Sequence, residues 1–87
     1  MIRYWFEFEI ESAFNYPAGI GVGCGVTAHN YDEAVNFLDE KVFNVIKRPL
    51  FKKVIENVDI RTLDQGHVIP NMQPPIYYGI WFPLGYD

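Results

Sequence analysis

Gly19-Ile20-Gly21-Val22-Gly23-Cys24-Gly25-Val26-Thr27-Ala28-His29-Asn30-Tyr31-Asp32-Glu33-Ala34 changes its period midway. From Gly19 to Ala28, the residues Ile20, Val22, Cys24, Val26 and Ala28 alternate with Gly19, Gly21, Gly23, Gly25 and Thr27, the pattern of a strand with one apolar and one bare face. Past Asn30 the apolar residues recur at three- and four-residue steps, as Ala34, Phe37, Leu38, Val42 and Val45, which is the stripe of an amphipathic helix. Asn30 and Glu33 have the spacing of a capping box, so the helix starts there. Acids at its beginning and Lys47-Arg48 at its end suit the helix dipole, and Pro49 stops it.

The flanking segments supply the sheet. Ile2 to Glu11 alternates cleanly, with Ile2, Tyr4, Phe6, Phe8 and Ile10 on one face and Arg3, Trp5, Glu7, Glu9 and Glu11 on the other. A long loop over Ser12 to Ala18, with Asn15 and Pro17 favouring turns, makes the first two strands an antiparallel hairpin, and Phe14 and Tyr16 are expected to fold back onto the domain. Beyond Pro49, Val54, Glu56, Val58 and Ile60 alternate with Ile55, Asn57, Asp59 and Arg61, a third strand. Thr62 to Pro75 carries Pro70, Pro74 and Pro75, which interrupt strand or helix. With Val68, Ile69 and Met72 it reads as an ordered loop. Ile76 to Phe82 is the last strand, with Ile76, Tyr78, Ile80 and Phe82 inward and Tyr77, Gly79 and Trp81 outward. The order β-β-α-β-β predicts an α+β domain over 1–87, with a single helix packed on one face of a mostly antiparallel four-stranded sheet. A β-grasp-like arrangement is the first topology expected and a ferredoxin-like one the second.

Composition narrows the function. The chain has 87 residues, 49% of them hydrophobic and 21% charged, far from the signature of disorder and large enough for one domain. Seven basic against eleven acidic residues give a net charge of −4, which argues against binding to nucleic acid or an anionic membrane. No apolar stretch approaches a membrane span, Glu7 and Glu9 break any signal-peptide pattern in the first residues, and the single Cys24 excludes an internal disulfide. A cytoplasmic protein is expected.

Few motifs in the chain carry chemistry. Gly23-Cys24-Gly25-Val26-Thr27-Ala28 fits a variant of the dinucleotide fingerprint in letters, but the glycines recur as in a strand, well before the helix cap, so a bare strand face is the better reading. Trp5, Tyr77 and Trp81 share the parity of those glycines. Aromatics beside strand glycines are a packing device, yet several on an uncovered face also form a patch suited to a partner or a second copy. Glu7, Glu9 and Glu11 lie along one strand without convergence, a solvated edge rather than an acid/base or metal site. Cys24 has core parity. His29 flanks the helix cap. His67, in the long loop with Asp64, Gln65 and Asn71, is the candidate for acid/base work, with Asp64 orienting it, although no Ser or Cys nucleophile accompanies it. Lys47-Arg48-Pro49-Leu50-Phe51-Lys52-Lys53 gathers four of the seven positive charges, but it lacks any nucleic-acid recognition signature.

The stretch Gly23 to Ala28 leading into Tyr31-Asp32-Glu33-Ala34, with Asn71-Met72-Gln73-Pro74-Pro75 and Gly79-Ile80-Trp81-Phe82-Pro83-Leu84-Gly85-Tyr86, resembles a group of short, functionally uncharacterised bacterial proteins. The resemblance spans nearly the whole chain and implies a bacterial, stand-alone protein, with no activity, cofactor or catalytic residue to carry over.

These features point to a small protein-binding or self-associating module rather than an enzyme, using Trp5, Glu7, Glu9, Tyr77 and Trp81 as its contact face and needing no cofactor or metal. Size and acidity also suit an immunity or antitoxin-type partner. The alternative is a small enzyme or ligand-binding protein with its site in the 62–75 loop, His67 and Asp64 being the catalytic candidates.

Overall fold

The computed structural model describes residues 1–10, 16 and 19–86. Glu11 and the loop residues Phe14, Asn15 and Pro17 lie outside them. The elements are β1 (Ile2–Phe8), β2 (Cys24–Ala28), α1 (Tyr31–Lys41), β3 (Phe51–Glu56) and β4 (Gly79–Phe82), with short 3₁₀ turns at Ile60–Thr62 and Ile69–Asn71. The four strands form one antiparallel sheet in the order β3-β1-β2-β4. β2 therefore separates β1 from β4, the first and last strands, which a β-grasp order would make neighbours.

The helix begins as its capping residues dictate. The Asn30 side chain accepts the Glu33 amide at 2.9 Å, satisfying one of the orphan donors of the first turn. The Glu33 carboxylate reaches back to the amide of His29 at 2.7 Å, one residue before the cap. Ala34, Leu38 and Val42 are buried. The stripe ends there, because the helix stops at Lys41 and Val45, beyond it, is 95% exposed. α1 packs mainly on β2 and β4 and reaches β3 through the contact of Tyr31 with Phe51. Tyr4, Phe6 and Phe8 of β1 meet Cys24, Val26 and Ala28 of β2 and the helix in the first core cluster, with Tyr16 packed against its margin.

The opposite face of the sheet is closed by the chain between β3 and β4. Trp5, Trp81 and Phe82 are buried there with Val58, Leu63 and Val68, flanked by Ile55, Ile60, Ile69 and Met72. Segment 57–75 thus forms a lid. Its ends are tied to the strands: Val58 donates its amide to the Arg3 carbonyl at 3.1 Å, and Gln73 donates to the Trp81 carbonyl at 2.8 Å. In between, the Trp81 indole donates to the Thr27 hydroxyl at 3.1 Å, and that hydroxyl donates in turn to the Pro75 carbonyl. A buried polar chain of this kind is stable only because each donor has its acceptor.

Several strand limits differ from the sequence reading. β2 starts at Cys24 rather than Gly19, because residues 19–22 turn and Gly23 takes φ +143°, a conformation that suits glycine. Ile20 still reaches the core, but Val22 is exposed. β3 runs from Phe51 instead of from Val54, and Asn57, at φ +52°, ends it. β4 starts at Gly79, so Ile76 and Tyr78 are exposed rather than inward. A register shift between Gly25 and Val26 pairs Val26 with Ile80 but Gly25 with Phe82. The bulge puts the consecutive side chains of Trp81 and Phe82 on the same, lid-facing side, where strict alternation would have sent Phe82 to the helix.

Candidate functional site

The expected aromatic contact face is not on the surface. Trp5 is 2% and Trp81 0% exposed. Their rings stack with centroids 6.1 Å apart, and Phe82 lies 5.7 Å from Trp5. They meet although β2 runs between their strands, because Gly25 has no side chain: a Cβ there would come within 2.4 Å of the Trp81 ring. One added at Gly23 would come within 2.5 Å of the Trp5 ring. The glycines are bare so that indoles of this chain lie flat on the strand, and the lid then covers them. The shared face holds for Trp5 and Trp81 with Gly23 and Gly25 but not for Tyr77, Gly19 and Gly21, which lie in turns, and the occupant of the face is the protein's own 57–75 segment.

The other residues assigned to that face are scattered. Glu7 accepts the Trp5 indole N–H at 3.0 Å and sits opposite Lys53 in the β1–β3 register. Glu9 is exposed beyond the end of β1, its amide bonded to the Leu50 carbonyl at 2.8 Å. Tyr77 lies in the turn before β4, partly exposed. These three do not form a patch with one another.

The loop candidate fares no better as a catalytic centre. His67 Nδ1 is 3.2 Å from Asp64 Oδ2, so the two do meet, but the His67 side chain is 76% exposed and stands on the outside of the lid. Asp64 Oδ1 accepts the amides of Gly66 and His67 at 2.8 and 2.9 Å, and these bonds hold its carboxyl below the usual range. Its role is that of a turn cap. Burial pushes the Cys24 thiol up, away from the thiolate that reactivity requires.

One polar cluster escaped the sequence reading. Tyr78 donates its hydroxyl to Glu33 Oε2 at 2.6 Å, while Glu33 Oε1 is 2.9 Å from His29 Nδ1. The His29 amide, followed by the Tyr78 hydroxyl, holds Glu33 below the usual carboxylate range, and the Glu33 carboxylate in turn pushes Tyr78 up. A phenol so shifted stays protonated at neutral pH and serves as a donor. The cluster latches the turn before β4 to the helix N-terminus. Only the capping box was visible in the sequence, since Tyr78 arrives from 45 residues away.

The surface left open is at the other end of the sheet. β3 pairs with β1 alone, and its other edge is unpaired among the described residues. Lys52, Lys53, Val54 and Glu56 are exposed along it, whereas Tyr4, Trp5, Phe6 and Phe8 of the neighbouring β1 are buried. Tyr31, partly exposed at the start of α1, packs its ring against Phe51 at 6.4 Å and against Phe6 at 6.2 Å, so an aromatic shoulder adjoins the open edge. Just before the strand, Glu9, Tyr16, Ile46, Lys47, Arg48, Pro49 and Leu50 line a cavity of about 490 Å³. The Arg48 guanidinium lies 4.5 Å over the Phe51 ring. Its Nη1 is 3.4 Å from Asp39 Oδ1, in ion-pair range, yet makes no hydrogen bond. Of the charged residues that line the hollow, Lys47 and Arg48 are basic and Glu9 acidic, and Arg48 has Asp39 beside it outside the lining.

Among the described residues no group of three or more His, Cys, Asp or Glu side chains is gathered as a metal ion would require. No helix among them is long and apolar enough to cross a membrane. The chain matches no family model, no curated protein and no solved structure.

Proposed function

We propose that the protein is a small non-enzymatic binding module that associates through the open edge of β3. The observation that supports this most is the edge itself, a six-residue strand hydrogen-bonded to β1 on one side and, among the described residues, to no strand on the other. Unpaired strand amides and carbonyls are a template for one further strand, and recognition by strand addition draws affinity from the main chain and selectivity from side chains alongside. Val54 sits mid-strand, while Tyr31, packed on Phe51, and the exposed Leu50 supply apolar contact near the start of the strand. As for the enzyme alternative, Glu33 serves as a latch and Asp64 as a turn cap, and His67 beside Asp64 stands exposed on the outside of the lid.

Val54→Lys tests the reading. Val54 is already at the surface, so the variant is expected to keep its circular dichroism and melting temperature, within about 0.5 kcal/mol of the parent. A lysine there opposes strand addition. Whatever associates with the parent chain, another copy or a different protein, is expected to be missing from Val54→Lys in sedimentation and co-purification measured side by side. Retention of the same associates by the folded variant would contradict the assignment.

A further inference from the structure

We infer that the strand added to β3 is the β3 of a second copy, so that two sheets join edge to edge about a two-fold axis. The inference rests on the strand-addition reading and goes further by naming the partner. Its basis is the distribution of charge along the edge. Lys52 and Lys53 stand at the start of β3 and Glu56 at its end, with Val54 and Ile55 between. Two copies paired antiparallel bring the first half of each strand beside the second half of the other, as a two-fold operator demands. With the axis at Val54, each Lys52 then meets the partner's Glu56 on the helix side of the sheet and the two Val54 side chains meet one another, while Lys53, on the other face, stands opposite the partner's Ile55. A parallel pairing would set lysine on lysine and glutamate on glutamate.

Complementarity also explains why an open edge is tolerable in this protein. Paired lysines on an edge, next to the register shift between Glu7 and Phe8, discourage indiscriminate strand pairing. A second copy is exempt because it brings an acid to each basic end. Lys53 has no acid across the axis, so each copy brings a surplus positive charge to the contact. That like-charge surplus, together with the net charge of −4 on each chain, opposes association. The six-residue contact buries little area, which makes the dimer a weak, concentration-dependent one.

The test is a charge exchange across the axis. Glu56→Lys makes the edge uniformly basic, and Lys52→Glu/Lys53→Glu makes it uniformly acidic, while all three positions are exposed and lie away from both core clusters. Sedimentation velocity over a concentration series is expected to show a monomer–dimer equilibrium for the parent chain. Each variant alone is expected to dimerise about ten-fold more weakly or less, since every lost pair and every new like-charge pair occurs twice. An equimolar mixture of the two variants is expected to form a heterodimer at least as tight as the parent dimer. A parent chain that is monomeric throughout the series overturns the second-copy inference, and the strand-addition reading is then decided separately by what Val54→Lys loses in co-purification. A dimer that is abolished by Val54→Lys but indifferent to the charge exchange overturns the antiparallel pairing and keeps the edge. A dimer unaffected in any of the three variants overturns both.

Discussion

Gly25→Ala is expected to destabilise the domain by about 3 kcal/mol or more, the upper range for forcing extra volume into a packed interior. The added Cβ would stand 2.4–2.5 Å from three atoms of the Trp81 ring. Relief by a side-chain rotation is blocked on every side: the ring is fully buried, its N–H is bonded to Thr27, and Trp5 stacks against it. For a domain of this size each kcal/mol lowers the melting temperature by roughly 4–8 °C, so thermal denaturation followed by circular dichroism is expected to fall by roughly 12 °C or more. Gly21→Ala is the control, since nothing lies within 4 Å of a Cβ at that position. Equal melting temperatures for the two variants would mean that Trp81 does not cross β2 at Gly25.

Trp81→Ala removes the ring from the other side of the same contact and is expected to cost about 3–5 kcal/mol in urea denaturation. Stabilities of small domains are commonly about 5–15 kcal/mol, so this single change brings the chain close to unfolding. Trp81 also anchors the lid, through its N–H to Thr27 and its carbonyl to the Gln73 amide, and only the second of these survives truncation. The lid is therefore expected to loosen before the sheet does, with protease cleavage concentrated in 57–75 under conditions where the parent is resistant. A variant cut instead within β1 or β2, or one as stable as the parent, would remove the indole from its assigned place as the keystone of the second core.

The elements legible in the sequence are those whose signal is local. Asn30 and Glu33 fixed the helix start because a cap is made by residues three apart, and the alternation of β1 fixed its two faces because every side chain from Ile2 to Phe8 obeys the pleat. Trp5 was rightly placed beside the strand glycines. What covers it was not legible, because Val58, Leu63 and Val68 come from turns and irregular chain, where apolar residues follow no period that a single sequence displays. A loop rich in proline and polar residues looks like a connection until its few apolar side chains are seen to meet two indoles. The same limit explains the misplaced Phe82: a bulge changes the face of every residue after it and leaves no mark in composition. Strand order is equally nonlocal. The open edge of β3 follows from that order alone, and its residues Lys52, Lys53 and Glu56 carry no distinguishing motif until the edge is known to be free.

The claim that the aromatic–glycine face is interior, and that association proceeds elsewhere, is most sharply examined through the two tryptophans themselves. Their emission and its quenching by iodide should be recorded on one sample series, from dilute monomer to the concentration at which the chain associates. With both indoles under the lid, emission is expected to be blue-shifted and poorly quenched at every concentration, and association through β3 leaves it unchanged. Indoles that are accessible to iodide in the dilute chain and become shielded as it associates would make Trp5 and Trp81 the interface, and would contradict both the closed second core and the assignment of recognition to β3.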